Sequence, residues 1–346
     1  MTQHPSFLAQ ASLLAGAMGD SLGAEIEFWP LDRIAHQFPN GLRELPQHQG
    51  IVGAITDDTQ MTLFTAEGLI RSWVRGRLKG IVSVAGVVHH ALLRWLCTQG
   101  VEATVTDADH VGLVEDARLH HRRAPGNTCL SSLGSARHFG EPARNDSKGC
   151  GTIMRVAPVA FGVPTGDIRQ VAIATSALTH GHATGQLAAA AWAELLHSVF
   201  LGEELEQTAV RLLSDYRDLD NGSETADAIE AALYATRDGS PETVELLGGG
   251  WVAEEALSIA LYSALATSNL EDGLRCAVTH SGDSDSTGAV AGNLLGLLYP
   301  DQVFEHPWSN QIECRDLILR LARDLVEVQD WSNEFTEEQF AVYPGV

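Results

Sequence analysis

The 346-residue sequence predicts an all-α protein, and three observations carry that expectation. Apolar residues recur with the helical period: Ile81, Val84, Val88, Leu92 and Trp95 fall on one face, Val252, Ala256, Ile259, Ala260 and Ser263 on a second, and Ile318, Leu321, Leu325 and Val328 on a third. The alanine-rich run from Gln186 to Leu196 combines high helix propensity with small side chains that let helices approach closely. Alternating apolar and polar positions, the signature of a half-buried strand, are scarce.

Glycine and proline punctuate the helices at Pro30, Pro39 to Gly41, Pro46 to Gly53, Pro125-Gly126, Pro164 to Gly166, Gly239 to Pro241 and Gly248 to Gly250. None of these breaks resembles a long flexible linker, and no repeat is visible. The expectation is one compact helical domain over 1–346. Residues 200–245 are acid-rich and read as peripheral helices. Residues 301–346 read as a C-terminal helix and tail.

Composition excludes several function classes. Twenty-two Lys and Arg stand against 45 Asp and Glu, for a formal net charge of -23. Nucleic acids and anionic membranes require clustered basic residues, so neither is an expected partner. The five cysteines are widely spaced and form no CxxC, so neither a disulfide framework nor a zinc ribbon is expected. No basic n-region precedes the apolar stretch around Leu13 to Met18, and Glu194 soon breaks the run from Leu187 to Ala193. These features predict a soluble, cytoplasmic protein.

Two acidic motifs carry the chemistry. Thr56-Asp57-Asp58-Thr59 precedes an amphipathic run containing Met61, Leu63, Phe64 and Leu69. Its oxygens suit either of two tasks, capping a helix start or presenting hard ligands to a cation. Asp283, Asp285 and Ser286 stand before a stretch in which Gly288, Gly292 and Gly296 recur every four residues. Each helical glycine costs about 1 kcal/mol relative to alanine, so the spacing predicts a central helix packed backbone to backbone. Two carboxylates at the start of such a helix call for a neutralising cation. In a helix, positions i and i+2 point about 200° apart, so shared ligation by Asp283 and Asp285 requires a loop or a first turn. An EF-hand is excluded because its twelfth position is Leu294. Asp283, Asp285 and Thr287 also match the Asp-x-Asp-x-Thr of dehalogenase-type phosphatases, a reading that demands a parallel sheet.

Two glycine-containing segments, Gly126-Asn127-Thr128 and Gly149-Cys150-Gly151-Thr152, allow backbone N–H groups to approach phosphate oxygens, and equally allow plain tight turns. Neither has Walker or Rossmann spacing. The paired histidines His89-His90, His120-His121 and His180-x-His182 lack a further metal ligand at suitable spacing.

Taken in order, the segments resemble the ADP-ribosylglycohydrolase family. They are GAMGDSLGAEIEF from Gly16, TDDTQMTLF from Thr56, PGNTCLSSL from Pro125, SKGCGTIMRVAPVA from Ser147, LTHGHATG from Leu178, GGGWVAEEALSIALY from Gly248 and SGDSDSTGAVAGNLLGLLYP from Ser281. They span most of residues 8–300. The resemblance implies an all-α fold and two divalent cations, Mg²⁺ or Mn²⁺. It implies Thr56, Asp57, Asp58, Asp283, Asp285 and Ser286 as their ligands, with Glu27 or Asp58 handling protons. It implies that Gly126, Asn127, Thr128, Gly149, Cys150, Gly151, Thr152 and His180 hold the ADP-ribose. Departures are Ser281, where the family often has glycine, Ser284 and Ser286, where it often has threonine, and Lys148 and Cys150, in a loop where Asn-Gly and serine are common.

The implied activity is metal-dependent removal of ADP-ribose from a protein side chain, arginine first, reversing a transferase or toxin. One alternative is a binding or immunity protein that blocks an ADP-ribosyltransferase by occlusion, with hydrolysis secondary. The phosphatase is a more distant one.

Overall fold

The structure, a computed structural model, describes residues 3–105, 111–331 and 335–345. Eight helices build the frame: α1 (Pro5–Gly23), α2 (Asp57–Lys79), α3 (Val84–Thr98), α4 (Ala183–Phe200), α5 (Ala253–Ala266), α6 (Leu270–Val278), α7 (Ser284–Leu298) and α8 (Arg315–Glu327). Among the described residues the one sheet is a two-residue hairpin, Gln47–His48 paired antiparallel with Ile51–Val52. Its turn uses Gln49 and Gly50, both at positive φ.

α1 starts at Pro5, with the His4 side chain accepting from the Ser6 N–H at 3.3 Å. Beyond Gln10 it is buried on every side, as a helix at the centre of a domain must be. Its partner is α7, running antiparallel. A Cβ on Gly19 would collide with the Gly288 carbonyl, and one on Gly288 with the Gly19 carbonyl. Gly292 and Gly296 meet the backbone of Ala15 and Ala11 in the same way. Ser12 and Asn293 lock the register: the Ser12 hydroxyl donates to the Asn293 carbonyl at 2.8 Å, and the Asn293 amide returns to the Ser12 carbonyl at 3.1 Å. The four-residue glycine spacing therefore has its predicted cause.

α2 packs on α3, and α8 lies across α1 and α2. α4, α5 and α6 enclose the other side of α7. Residues 200–245 form helices Leu205–Arg217 and Ser223–Tyr234, which pack on each other and, through one face, on α4 and α5.

Three expectations need correction. Ile81 does not join the face of α3: the helix starts after Ser83, whose hydroxyl accepts from the Gly86 N–H, and Ile81 is 78% exposed before it. The C-terminal segment is more than a helix and tail. α8 buries Leu317, Ile318, Leu321 and Leu325 in the common core, so residues without a recognisable motif still complete it. The dehalogenase-type phosphatase falls, because Asp283, Asp285 and Thr287 open a helix and no parallel sheet exists among the described residues.

Gly19→Ala should lower stability by about 3 kcal/mol despite alanine's higher helix propensity, because the methyl group must displace backbone. Gly166→Ala, where a Cβ meets nothing within 4 Å, should stay within about 0.5 kcal/mol of the parent. Urea midpoints measure both, and equal midpoints would contradict the close-packed interface.

Candidate active site

The acids gather at one end of the central helix pair, where α1 finishes and α7 begins. Asp20 sits in the last turn of α1, fully buried. Its oxygens accept from the Thr56 N–H at 3.2 and 3.0 Å, from the Thr59 N–H at 3.2 Å, and from the Thr59 hydroxyl. Those N–H groups are the unpaired donors of a helix start, so Asp20 ties the end of α1 to the beginning of α2. Thr56 is the N-cap of α2, accepting from the Asp58 N–H at 3.3 Å. Asp57 and Asp58 occupy the first turn behind it. The capping reading thus holds for Thr56, and the two carboxylates are left for other partners.

Asp57 Oδ2 accepts from the Gly126 N–H at 3.2 Å. Asp58 Oδ2 accepts from the Thr56 hydroxyl at 3.3 Å, while Asp58 Oδ1 is buried without a hydrogen bond. On the other side, Asp283 caps α7 and Asp285 lies in its first turn, the arrangement that shared ligation requires. The Ser286 N–H reaches Asp285 Oδ1 at 2.9 Å. The Asp283 N–H donates to the Gly249 carbonyl at 2.8 Å, drawing the Gly248–Gly250 turn over the site. Glu27 follows α1 in a tight turn that Phe28 completes at φ 65°, its N–H donating to the Gly282 carbonyl at 3.1 Å. Glu27, Asp283 and Asp285 each offer an oxygen within 4.8 Å of the others.

The electrostatics are those of like charges in a dry place. Burial first, then neighbouring carboxylates, pushes Glu27 up to about 8. Burial takes Asp20 to about 6 against the hydrogen bonds from Thr59 and Thr56 that hold it down. Burial raises Asp57, Asp58 and Asp285 well above the ordinary carboxylate range, and raises Asp283 as well. An all-oxygen donor set with one unpaired buried oxygen fits a hard divalent cation, whose charge would take the place of the protons.

The glycine segments border this cluster. Asn127 and Thr128 begin a short helix and line a cavity of 500 Å³ together with Asn145 and Ser147. The Cys150 N–H donates to the Trp251 carbonyl at 3.1 Å, and its thiol meets Asp283 Oδ2 at 2.9 Å, so the second segment touches the acids directly. His180 is buried against Gly149 and Gly151, with Nδ1 2.9 Å from the Thr179 hydroxyl; burial and Arg155 push it down to about 3, so it is neutral. Thr152 differs from the expectation of substrate contact: it is fully buried, and its hydroxyl donates to the Gly185 carbonyl at 2.7 Å.

Sequence reasoning missed three contributors. Asp20 has a signal, a single acid inside an otherwise small and apolar helix. Phe28 and Trp251 stack with centroids 5.0 Å apart at the rim, 67% and 42% exposed. Arg123 and Glu313 form a buried ion pair around the residue before Thr56. The Ile55 N–H donates to Glu313 Oε2 at 3.2 Å, and Arg123 Nη1 donates to the Ile55 carbonyl at 2.6 Å. No local signal links positions 190 residues apart.

Residues 5–334 match the ADP-ribosylglycohydrolase family. The chain belongs to this family. It is 24% identical over 320 residues to the ADP-ribosyl-[dinitrogen reductase] glycohydrolase of Rhodospirillum rubrum, covering 89% of this chain and 90% of that one. It is 25% identical over 330 residues to an ADP-ribosylarginine hydrolase of Pseudomonas putida, covering 92% and 78% respectively. A solved ADP-ribosylglycohydrolase-related protein complex has the same fold, with a TM-score of 0.67 at 24% identity over 94% of this chain and 98% of that one. Membership supports an ADP-ribosyl hydrolase activity. No helix among the described residues is long and apolar enough to cross a membrane.

The raised carboxylate pKa values set a sign for stability. A carboxyl that keeps its proton in the folded state, where the unfolded chain has lost it, makes stability fall as pH rises. The window opens at the ordinary values of 3.8 for Asp20 and 4.5 for Glu27 and closes at about 6 and about 8. The melting temperature of the metal-free protein should therefore fall from about pH 5 to about pH 8, and saturating Mn²⁺ at the upper end should restore it. A flat or rising profile in differential scanning fluorimetry would contradict the buried cluster.

Proposed function

We propose that the protein is a metal-dependent hydrolase that releases ADP-ribose from modified arginine side chains of proteins. The observation that supports this most directly is the convergence of Glu27, Asp283 and Asp285 beside the buried Asp57 and Asp58, all at helix starts and turns. Thr56, Asp57, Asp58, Asp283, Asp285 and Ser286 would hold two Mg²⁺ or Mn²⁺ ions, and Asp20 fixes the helix start that presents the first three. When bound, the ions supply Lewis-acid charge that orients the vicinal hydroxyls of the distal ribose and lowers the pKa of a nucleophilic water.

The residues divide the remaining work. The N–H groups of Asn127 and Thr128 at a helix start, and that of Gly151, offer dipoles to the diphosphate, which an acidic protein needs in place of lysines, while those of Gly126 and Cys150 are already taken by Asp57 and the Trp251 carbonyl. Glu27 is the half-buried acid of the group and has room to face substrate, so it carries the proton to or from the scissile bond at the anomeric carbon. Phe28 and Trp251 present flat aromatic faces next to it. A guanidinium is planar and cationic and stacks on such faces, which favours arginine over a serine linkage.

The test incubates the purified protein with arginine- and serine-linked ADP-ribosyl proteins, with Mg²⁺ or EDTA, and measures free ADP-ribose. Release from the arginine linkage alone, abolished by EDTA, is expected. Glu27→Gln should lower kcat by about 10²- to 10⁴-fold. Trp251→Ala should raise KM for the arginine-linked substrate by about fivefold, the size of an exposed cation–π contact. Asp57→Ala combined with Asp285→Ala should eliminate release; a double variant that still protects a target fully would mean that occlusion, not hydrolysis, is the activity.

A further inference from the structure

Cys150 brings sulfur into a site otherwise built from oxygen. Its thiol meets Asp283 Oδ2 at 2.9 Å, and the Ser286 hydroxyl lies 3.6 Å from the same sulfur. A second sulfur, Met154 Sδ, stands 4.0 Å from that hydroxyl. Cys150 is half-buried, whereas Cys129, Cys276 and Cys314 are buried. An independent observation points to a missing ligand at this spot. Asp58 is 2% exposed, its carboxyl faces Ser286, and its Oδ1 has no hydrogen-bond partner. A thiol, two or three carboxylates and a hydroxyl around one unpaired oxygen is a mixed donor set. Carboxylate and hydroxyl ligands suit Mg²⁺ or Mn²⁺, but a sulfur ligand selects for softer ions.

We propose that Cys150 makes this centre a binding site for a thiophilic divalent cation, Zn²⁺ or Cd²⁺, held by the Cys150 sulfur together with Asp283 in competition with the hard cation. On binding, the S–H bond breaks, a sulfur–metal bond forms and the proton leaves to solvent, so a dication and a thiol give a singly charged thiolate complex and H⁺. The inference rests on the acid cluster being a metal centre, and it does not require that the centre hydrolyses ADP-ribose. Serine at this position would keep a hard donor and lose the soft one.

The experiment titrates the chelator-treated full chain with Cd²⁺ and follows the thiolate-to-cadmium charge-transfer band in the ultraviolet. Mn²⁺ binding is read by electron paramagnetic resonance in the same samples. A saturable band is expected in the parent and in C97S, which removes the exposed cysteine of α3, and is absent in C150S. Mn²⁺ should bind C150S within about twofold of the parent, while Cd²⁺ should bind it at least about tenfold more weakly. Bound Cd²⁺ should also slow alkylation of Cys150 at least about tenfold, located by peptide mass spectrometry. A band that persists unchanged in C150S, or alkylation of Cys150 at the same rate with and without Cd²⁺, overturns the proposal. Normal Mn²⁺ binding alongside either result leaves the metal centre standing and removes only the thiol, whereas loss of Mn²⁺ binding by the parent removes both.

Discussion

The contact on which the rest depends is the backbone-to-backbone packing of α1 against α7. Leucines at these positions would hold the helices about 8–10 Å apart, as ordinary side chains do. Glycines at 19, 288, 292 and 296 let carbonyls and Cα atoms touch. The antiparallel course then brings the end of α1 beside the beginning of α7. Asp20 and Glu27 thus meet Asp283 and Asp285, across more than 250 residues of sequence, because of where glycine stands.

The acids themselves work against the fold. Burial raises the pKa values of all six carboxyls, and for Glu27, Asp57, Asp58 and Asp285 repulsion between neighbours raises them further. The frame tolerates this because three neutral devices surround them: helix-start N–H groups at Thr56 and Thr59, hydroxyls at Thr56, Thr59 and Ser286, and the pinned peptide at Ile55. Arg123 and Glu313 hold that peptide from both sides, and they neutralise each other, so the pair adds no net charge near the cluster. Packing of the frame, not local attraction, keeps the acids together.

Much of this was legible in the residues. The helical period announced α3, α5 and α8, and the glycine spacing announced a buried central helix, because both are local patterns with one physical cause. The two acid motifs were visible for the same reason. What the sequence concealed were pairings whose partners lie far apart. Gly19 reads as an ordinary small residue until Gly288 is beside it. Glu313 is one of many acids in an acidic chain, and only the fold singles it out by setting Arg123 against it. Thr152 stands in a segment that the resemblance implies holds ADP-ribose, yet its hydroxyl turns inward to Gly185. The segment around α8 had no motif, but its apolar stripe was needed to cover α1 and α2.

The antiparallel glycine contact also dictates an order of events during synthesis. α1 leaves the ribosome long before α7, the helix that carries the surface fitting it. At roughly 5–20 residues per second that interval is on the order of tens of seconds. Throughout it none of the early acids has its late counterpart. The protein therefore acquires its centre only once α7 has been translated, and a chain cut short before α7 would have no assembled site.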